Sequence, residues 1–538
     1  MSPLADIGDP AQCWSGQVFM RVRALLTVPV LCVHFLPGLF AQEGARIEVL
    51  HADVWEFDQR LMPGAQRLLG DVRFKHENAV MRCDSAYLFT DEHVDARGHI
   101  RIVQGDTLTI TADRLNYDGK ERLATLEGTV RLTDPGSVLT TEHLVYGLRT
   151  RAATYSSGGR IVSLTRGDTL TSEHGTYLAG TRTFIFSRNV LLRHPERRIR
   201  SDSLHYMTRT AMVEFLGPTI IDQDSTRITC SHGTYDTRTR RAWFDRRAMV
   251  QDGARELQGD SLRYDAAEGI GRAWGHVHLS DTTSGSVVTG TAARYDRTTD
   301  RSWVTGMAEL NMRVGTDTLH LHADTLFALP DTPKGGHRII ARRNARFYQP
   351  DLQGACDTLI YSDADSVIHM IDRPVLWSKK DQITGDTVRI ALRNGRAYRL
   401  YVDGNAFLAS RVDSTHFDQV TGRRMTGHFS DNELTRVIAE GNSRTVYYAR
   451  ETRDGKEHLS GVNRADCSSL EVRVTDGEVR TVTFLNEPDA VLYPMAKAPT
   501  EDIILVGFTW RDRERPLDRS DIFREVSGDV GAGAPVTP

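Results

Sequence analysis

The chain has 538 residues, 40% of them hydrophobic and 26% charged, which excludes a disordered polymer and leaves room for several domains or one long repeat array. A net charge of −4 gives no global basic field for nucleic acid. The arginines far outnumber the lysines and are scattered along the chain, as expected of solvated strand faces.

Residues 1–41 read as a secretory signal region. Arg21 and Arg23 precede an apolar run from Ala24 to Ala41, which Pro29, Pro37 and Gly38 interrupt. The run is short for a membrane span of about 20 apolar residues, and Leu39-Phe40-Ala41 before Gln42 suits cleavage. Met20 fits the true start, and an uncleaved anchor is the alternative reading.

Residues 42–510 carry an internal repeat. Its core is a small residue, a polar residue, any residue, Leu, any residue and Tyr. Ala112-Asp113-Arg114-Leu115-Asn116-Tyr117 is one copy and Thr141 to Tyr146 the next. The small position recurs at Cys83, Ala112, Thr141, Ser172, Ser201, Cys230, Gly259, Gly290, Ala323, Cys356 and Gly385, with steps of 29 to 33 residues. Cys467 begins a later, more widely spaced copy. Units of this length cannot bury an apolar face alone and must stack. Propeller blades need about 40–50 residues, so these units are too short for them.

Two residues before each small position stands another apolar residue, as at Ile110, Leu139, Ile199 and Leu257. Alternation of this kind is one buried face of a strand. The phase then slips, because Leu115 and Tyr117 have the opposite parity to Ile110 and Ala112. Both pairs point inward only if the strand bends or bulges near Asp113. A second strand signal follows each motif, as at Gly98 to Ile102 and Gly128 to Leu132. Residues 511–538 break the pattern and read as a polar, partly disordered tail.

Four cysteines follow the signal region, Cys83, Cys230, Cys356 and Cys467, all at the small position. Copies that far apart in a stack cannot approach within the ~7 Å that a disulfide needs, so the thiols read as structural. His143, His174 and His232 share one polar slot and read as a solvated column. Asp113, Asp202, Asp260, Asp324, Asp357 and Asp386 recur at the bend and read as corner residues, not as a general acid and base. No phosphate loop, nucleophile elbow or HExxH motif is present, so neither a catalytic site nor a cofactor is expected.

The phrase running from Gly98 to Ile102 and on through Ala112 to Asp118, repeated at Gly128 to Leu132 and Thr141 to Tyr146, resembles the OstA-like repeat of the LptA family. Strings such as Leu216-Gly217-Pro218-Thr219-Ile220, Pro374-Val375-Leu376-Trp377 and Pro488 to Pro494 resemble the long OstA-like proteins of the Bacteroidetes/Chlorobi group. The resemblance implies an all-β fold, an elongated stacked β-jelly roll, V-shaped in section, built from the ~30-residue units. It also implies a periplasmic protein, free or associated with the outer membrane, that binds lipopolysaccharide and shields its acyl chains on the way to that membrane. Its implied partners are other lipopolysaccharide-transport proteins, joined end to end by β-strand addition, and not nucleic acid. The lining residues expected for the groove are Ile110, Leu115, Leu139, Leu144, Ile199, Leu204, Leu257 and Leu262. The competing expectation is a structural β-solenoid, a scaffold or adhesin with a filled core, in which those residues are ordinary packing.

Overall fold

A computed structural model describes residues 46–524, apart from 58–62, 166, 315–316, 332–335, 454–455, 476–477 and 487. The expected signal region and the start at Met20 lie outside the described residues, as does 525–538. Among the described residues every regular element is a strand except three 3-10 turns, Met495–Lys497, Asp512–Glu514 and Ser520–Phe523. The protein is all-β, as the alternating pattern predicts.

The strands form a continuous antiparallel meander. From Ala65–His76 to Ser137–Gly147 each strand pairs with the next in sequence. Most long strands bend once, near their middle. Elsewhere the two halves become separate strands, and each half keeps its own column. Thus Ala152–Tyr155 pairs with the second half of Ser137–Gly147, and Gly159–Ser163 with the first half. The result is one sheet folded along a line of corners into two walls. We call them the alanine wall, which carries the half-strands of Ile110 and Ala112, and the tyrosine wall, which carries those of Leu115 and Tyr117.

The corner follows from the phase slip. In Leu108–Asp118 the side chains of Leu108, Ile110 and Ala112 are buried, Asp113 and Arg114 are exposed, and Leu115 and Tyr117 are buried again. The pairing of Thr111 with Arg131 resumes at Arg114 with Glu127, so two residues face three. The same irregularity recurs at Arg97/Ile100, Trp274/Val277 and Asp403/Ala406. The glycine-led segments, read from sequence as the start of a second strand, therefore do not begin strands. Gly98 sits at the corner of His93–Gln104, and each repeat is two bent strands.

Corner chemistry explains the recurring aspartate. Gly98 and His99 take positive φ angles of 79° and 44°, a left-handed pair that bends the strand. The aspartate of the preceding strand fills the space that a side chain at the glycine would occupy: Asp84 against Gly98, Asp113 against Gly128 and Asp260 against Gly275. Its carboxylate then accepts from the next residue, from Thr129 N to Asp113 Oδ2 at 2.9 Å. His276 Nδ1 lies 2.6 Å from Asp260 Oδ2, and Asn405 Nδ2 donates to Asp386 Oδ1 at 3.0 Å.

One apolar cluster runs between the walls from Leu68 to Val479. The four cysteines of the body are free and buried within it. Burial pushes the thiols of Cys83, Cys230 and Cys356 up to about 12.

The C-terminal segment corrects one expectation. Residues 511–524, read from sequence as part of a polar tail, belong to an ordered strap that lies across the outer face of the alanine wall. Three glutamines of that wall hold it. Gln419 donates to Ile503 O and accepts from Leu505 N, both at 2.9 Å. Gln382 donates to Thr509 O and accepts from Arg511 N, both at 2.7 Å. Gln353 Oε1 accepts from Arg515 at 2.7 and 2.9 Å. Farther on, Arg519 makes a bidentate pair with Glu309 at 2.6 and 2.7 Å, and Ile522 is fully buried. Beneath the strap both faces of Val375–Ser378 are buried. Sparse apolar anchors in an arginine-rich stretch leave no strand period, which is why the pattern missed them.

Candidate lipid groove

The eight expected lining residues divide equally between the walls. Ile110, Leu139, Ile199 and Leu257 stand on the alanine wall, and Leu115, Leu144, Leu204 and Leu262 on the tyrosine wall. All eight point inward, none is more than 3% exposed, and all belong to the one core cluster. They share the interior; in this state the two walls pack on one another there.

Sequence reasoning treated the motif tyrosines as apolar and missed what their hydroxyls do. Seven of them, from Tyr117 to Tyr295, reach across the open side of the fold to a polar residue at the edge of the alanine wall. Tyr117 Oη lies 2.6 Å from His76 Nδ1. Tyr146 donates to Gln104 and Tyr177 to Asp134. Tyr206 donates to Asp168 Oδ2 at 3.3 Å and Tyr235 to Gln223 Oε1 at 3.1 Å. Tyr264 Oη lies 3.2 Å from Thr226 Oγ1, and Tyr295 Oη accepts from Arg255 at 3.4 Å. Burial raises the phenol of Tyr146 to about 12 and raises those of Tyr117, Tyr177, Tyr235, Tyr264 and Tyr295 as well. These phenols therefore stay protonated over the physiological range. Asp168 is also bound by Arg197 at 2.9 Å, both side chains being almost wholly buried. The signal was in the sequence only as a spacing. A polar residue stands about 40 positions before six of the seven tyrosines, too distant for a local pattern to link.

Farther along, between Leu310 and Ala397, a cavity lies between the walls. Leu310, Val314 and Phe347 line it from the alanine wall, and Ile339, Leu359 and Ile368 from the tyrosine wall. Its volume is about 70 Å³, and its lining is overwhelmingly apolar.

The aspartates and histidines singled out in the sequence make structural contacts. Asp113, Asp260, Asp324 and Asp386 are corner anchors, with Asn344 Nδ2 donating to Asp324 Oδ1 at 3.1 Å. Of the histidine column, His232 pairs with Asp245 at 2.6 Å, His174 meets Arg188 at 3.3 Å, and His143 lies 4.0 Å from Glu127.

A family model described as OstA-like protein matches residues 44–202 and again 187–303. Over these residues the chain is an OstA-like protein. The two matches begin at residues 44 and 187, an offset of about five repeats, so the family unit occurs in tandem along this OstA-like stretch. Among solved structures, one similar chain is LptH from Pseudomonas aeruginosa, titled the LptA homologous periplasmic component of the conserved lipopolysaccharide transport device. It is 12% identical, and the likeness covers 27% of this chain and 95% of that one at a TM-score of 0.20. No curated protein matches the OstA-like chain.

Proposed function

We propose that this OstA-like protein is a periplasmic carrier of lipopolysaccharide, holding the acyl chains between its walls while the saccharide stays in water, and so serving outer-membrane assembly. The observation that carries the reading is the single apolar interior, continuous from Leu68 to Val479 and lined from both walls. Such a surface shields acyl chains at about 25 cal/mol for each Å² of apolar area removed from water. The eight residues from Ile110 to Leu262 named above are the proposed lining of the first half.

The ends of the sheet support docking to other transport proteins. Among the described residues Glu48–His51 and Val54–Glu56 pair only with Ala65–His76, and Trp55 and Phe57 beside them are 58% and 60% exposed. At the other end, again among the described residues, Glu478–Leu485 and Asp489–Pro494 pair only with Lys456–Thr475, and Leu492 is 64% exposed. Unpaired strand edges flanked by exposed apolar side chains suit strand addition by a partner.

The closed packing at the eight lining residues favours one rival, a scaffold with a filled core. Photoreactive residues at Leu115 and Leu204 separate the two. A carrier crosslinks to lipopolysaccharide at these positions and not at their outward neighbours Asn116 and His205. A scaffold with an intact β spectrum gives no adduct at any of the four.

A further inference from the structure

The tyrosine ladder stops where the cavity begins. The motif position that holds Tyr117, Tyr146, Tyr177, Tyr206, Tyr235, Tyr264 and Tyr295 next holds Ala328, then Tyr361, then Ile390. Ala328 has no hydroxyl to offer. Tyr361 turns its hydroxyl to Asp363 and Ser366 in the hairpin of its own wall. The facing edge changes at the same place: Met312, Val314 and Leu319 line the cavity where earlier edges carry His76, Gln104, Asp134 and Arg255. The ladder's hydroxyls and its polar edge thus both give out at this part of the chain. Opposite Val314 stands Gly395, whose missing side chain leaves that edge room to seat. The polar side chains of the lining are few, with Gln349 and Asn432 among them, and Asn432 is already engaged by Ala397 N at 2.8 Å.

We propose that the interior is zoned: the tyrosine ladder bolts the mouth from His76 to Tyr295, and an acyl chain enters at the gap in the ladder and seats first between Leu310–Leu321 and Ile339–Leu359. The inference rests on the carrier reading and adds the place and order of loading. A single saturated chain matches the gap, since the site is apolar on both walls and presents no charged group to a head. The bolted stretch then receives acyl chains only as successive rungs open. Each rung joins a phenol to a partner on the opposite wall, and that bond must break before the walls part.

The test uses the full chain and palmitate bearing a diazirine near its methyl end, with unlabelled lipopolysaccharide as competitor. Adduct sites are mapped by mass spectrometry at successive times after mixing. Adducts are expected on the Phe347 and Leu359 segments first, and on the Leu115 and Leu144 segments later. Replacing Tyr146→Phe and Tyr177→Phe together removes two rungs without removing the rings and should speed the later adducts by about tenfold, leaving the early ones unchanged. Val314→Gln, which puts a polar side chain back at the apolar edge of the cavity, should slow the early adducts. Lipopolysaccharide should displace the probe at both places, whereas displacement by free fatty acid alone would make the seat a fatty-acid site and overturn the proposal. Equal rates at the two places, or no response to the tyrosine substitutions, would overturn the zoning and leave the carrier reading standing. No adduct at any position in any variant would sink the carrier reading and the zoning with it.

Discussion

Replacing Gly128 by alanine tests the corner, on which the two-wall fold depends. Gly128 has φ 94°, where a side chain costs about 1–2 kcal/mol. A Cβ there also collides with the Asp113 carboxylate, which must leave and surrender the 2.9 Å bond from Thr129 N. A hydrogen bond to a charged group is worth about 1.5–3 kcal/mol, so the expected loss is about 3–4 kcal/mol. Gly105 is the control. It has φ 60° with nothing within 4 Å of a Cβ, so Gly105→Ala should cost about 1 kcal/mol, the backbone strain alone. Urea unfolding followed by circular dichroism measures both. Removing the carboxylate first, by Asp113→Ala, should shrink the further cost of Gly128→Ala toward that of the control, a coupling that a double-mutant cycle reads directly. Equal losses at Gly128 and Gly105, or additive effects of Asp113→Ala and Gly128→Ala, would refute the corner argument.

Three further outcomes follow from buried groups. The thiols of Cys83, Cys230 and Cys356, held near 12 by burial, should resist maleimide at pH 8 in the folded chain and react within minutes in urea; rapid native labelling would contradict their place in the core. Burial, with some help from the neighbouring Asp418, pushes Asp381 up to about 7, so the folded chain binds more protons than the unfolded one between pH ~4 and ~7, and stability falls as pH rises through that window. Asp381→Asn should therefore match the parent near pH 4 and exceed it at pH 8 by a few kcal/mol, and an unchanged pH slope in urea midpoints would count against this. Arg519→Ala strips the buried Glu309 of its bidentate partner and should loosen the strap, at a cost of about 1–3 kcal/mol discounted for the half-exposed arginine. Limited proteolysis should then cut near residue 519 faster, and an unchanged rate would mean the strap is held elsewhere.

What could be read from the sequence was local and periodic. The phase slip around Asp113 predicts a bend because side-chain parity is fixed by the strand, and the burial of Leu108–Asp118 reverses where the pattern says it must. The same parity placed Ile110 and Leu115 on opposite walls but both inside. The tyrosine ladder stayed hidden because Tyr177 and Asp134 stand on different walls, and no strand period connects them. Tyrosine at the sixth motif position scores as apolar whether or not its hydroxyl has a partner. The strap stayed hidden for another reason. Leu505, Phe508, Trp510 and Ile522 are anchors without alternation, and the groups that hold the backbone between them, Gln353, Gln382 and Gln419, belong to strands up to 162 residues away. Sequence spacing therefore found the walls and the corner, while the contacts that close the mouth and cover the outer face needed the fold.

The central claim is that acyl chains enter between the two walls. Spin labels at Asp106→Cys, on a turn of the alanine wall, and Lys120→Cys, on a turn of the tyrosine wall, report the width of the mouth, since both sites are exposed and Cys83, Cys230, Cys356 and Cys467 are buried. Adding lipopolysaccharide should lengthen the distance between them, measured by pulsed electron resonance, and broaden its distribution. A distance that stays fixed while lipopolysaccharide is demonstrably bound would place the lipid somewhere other than between the walls.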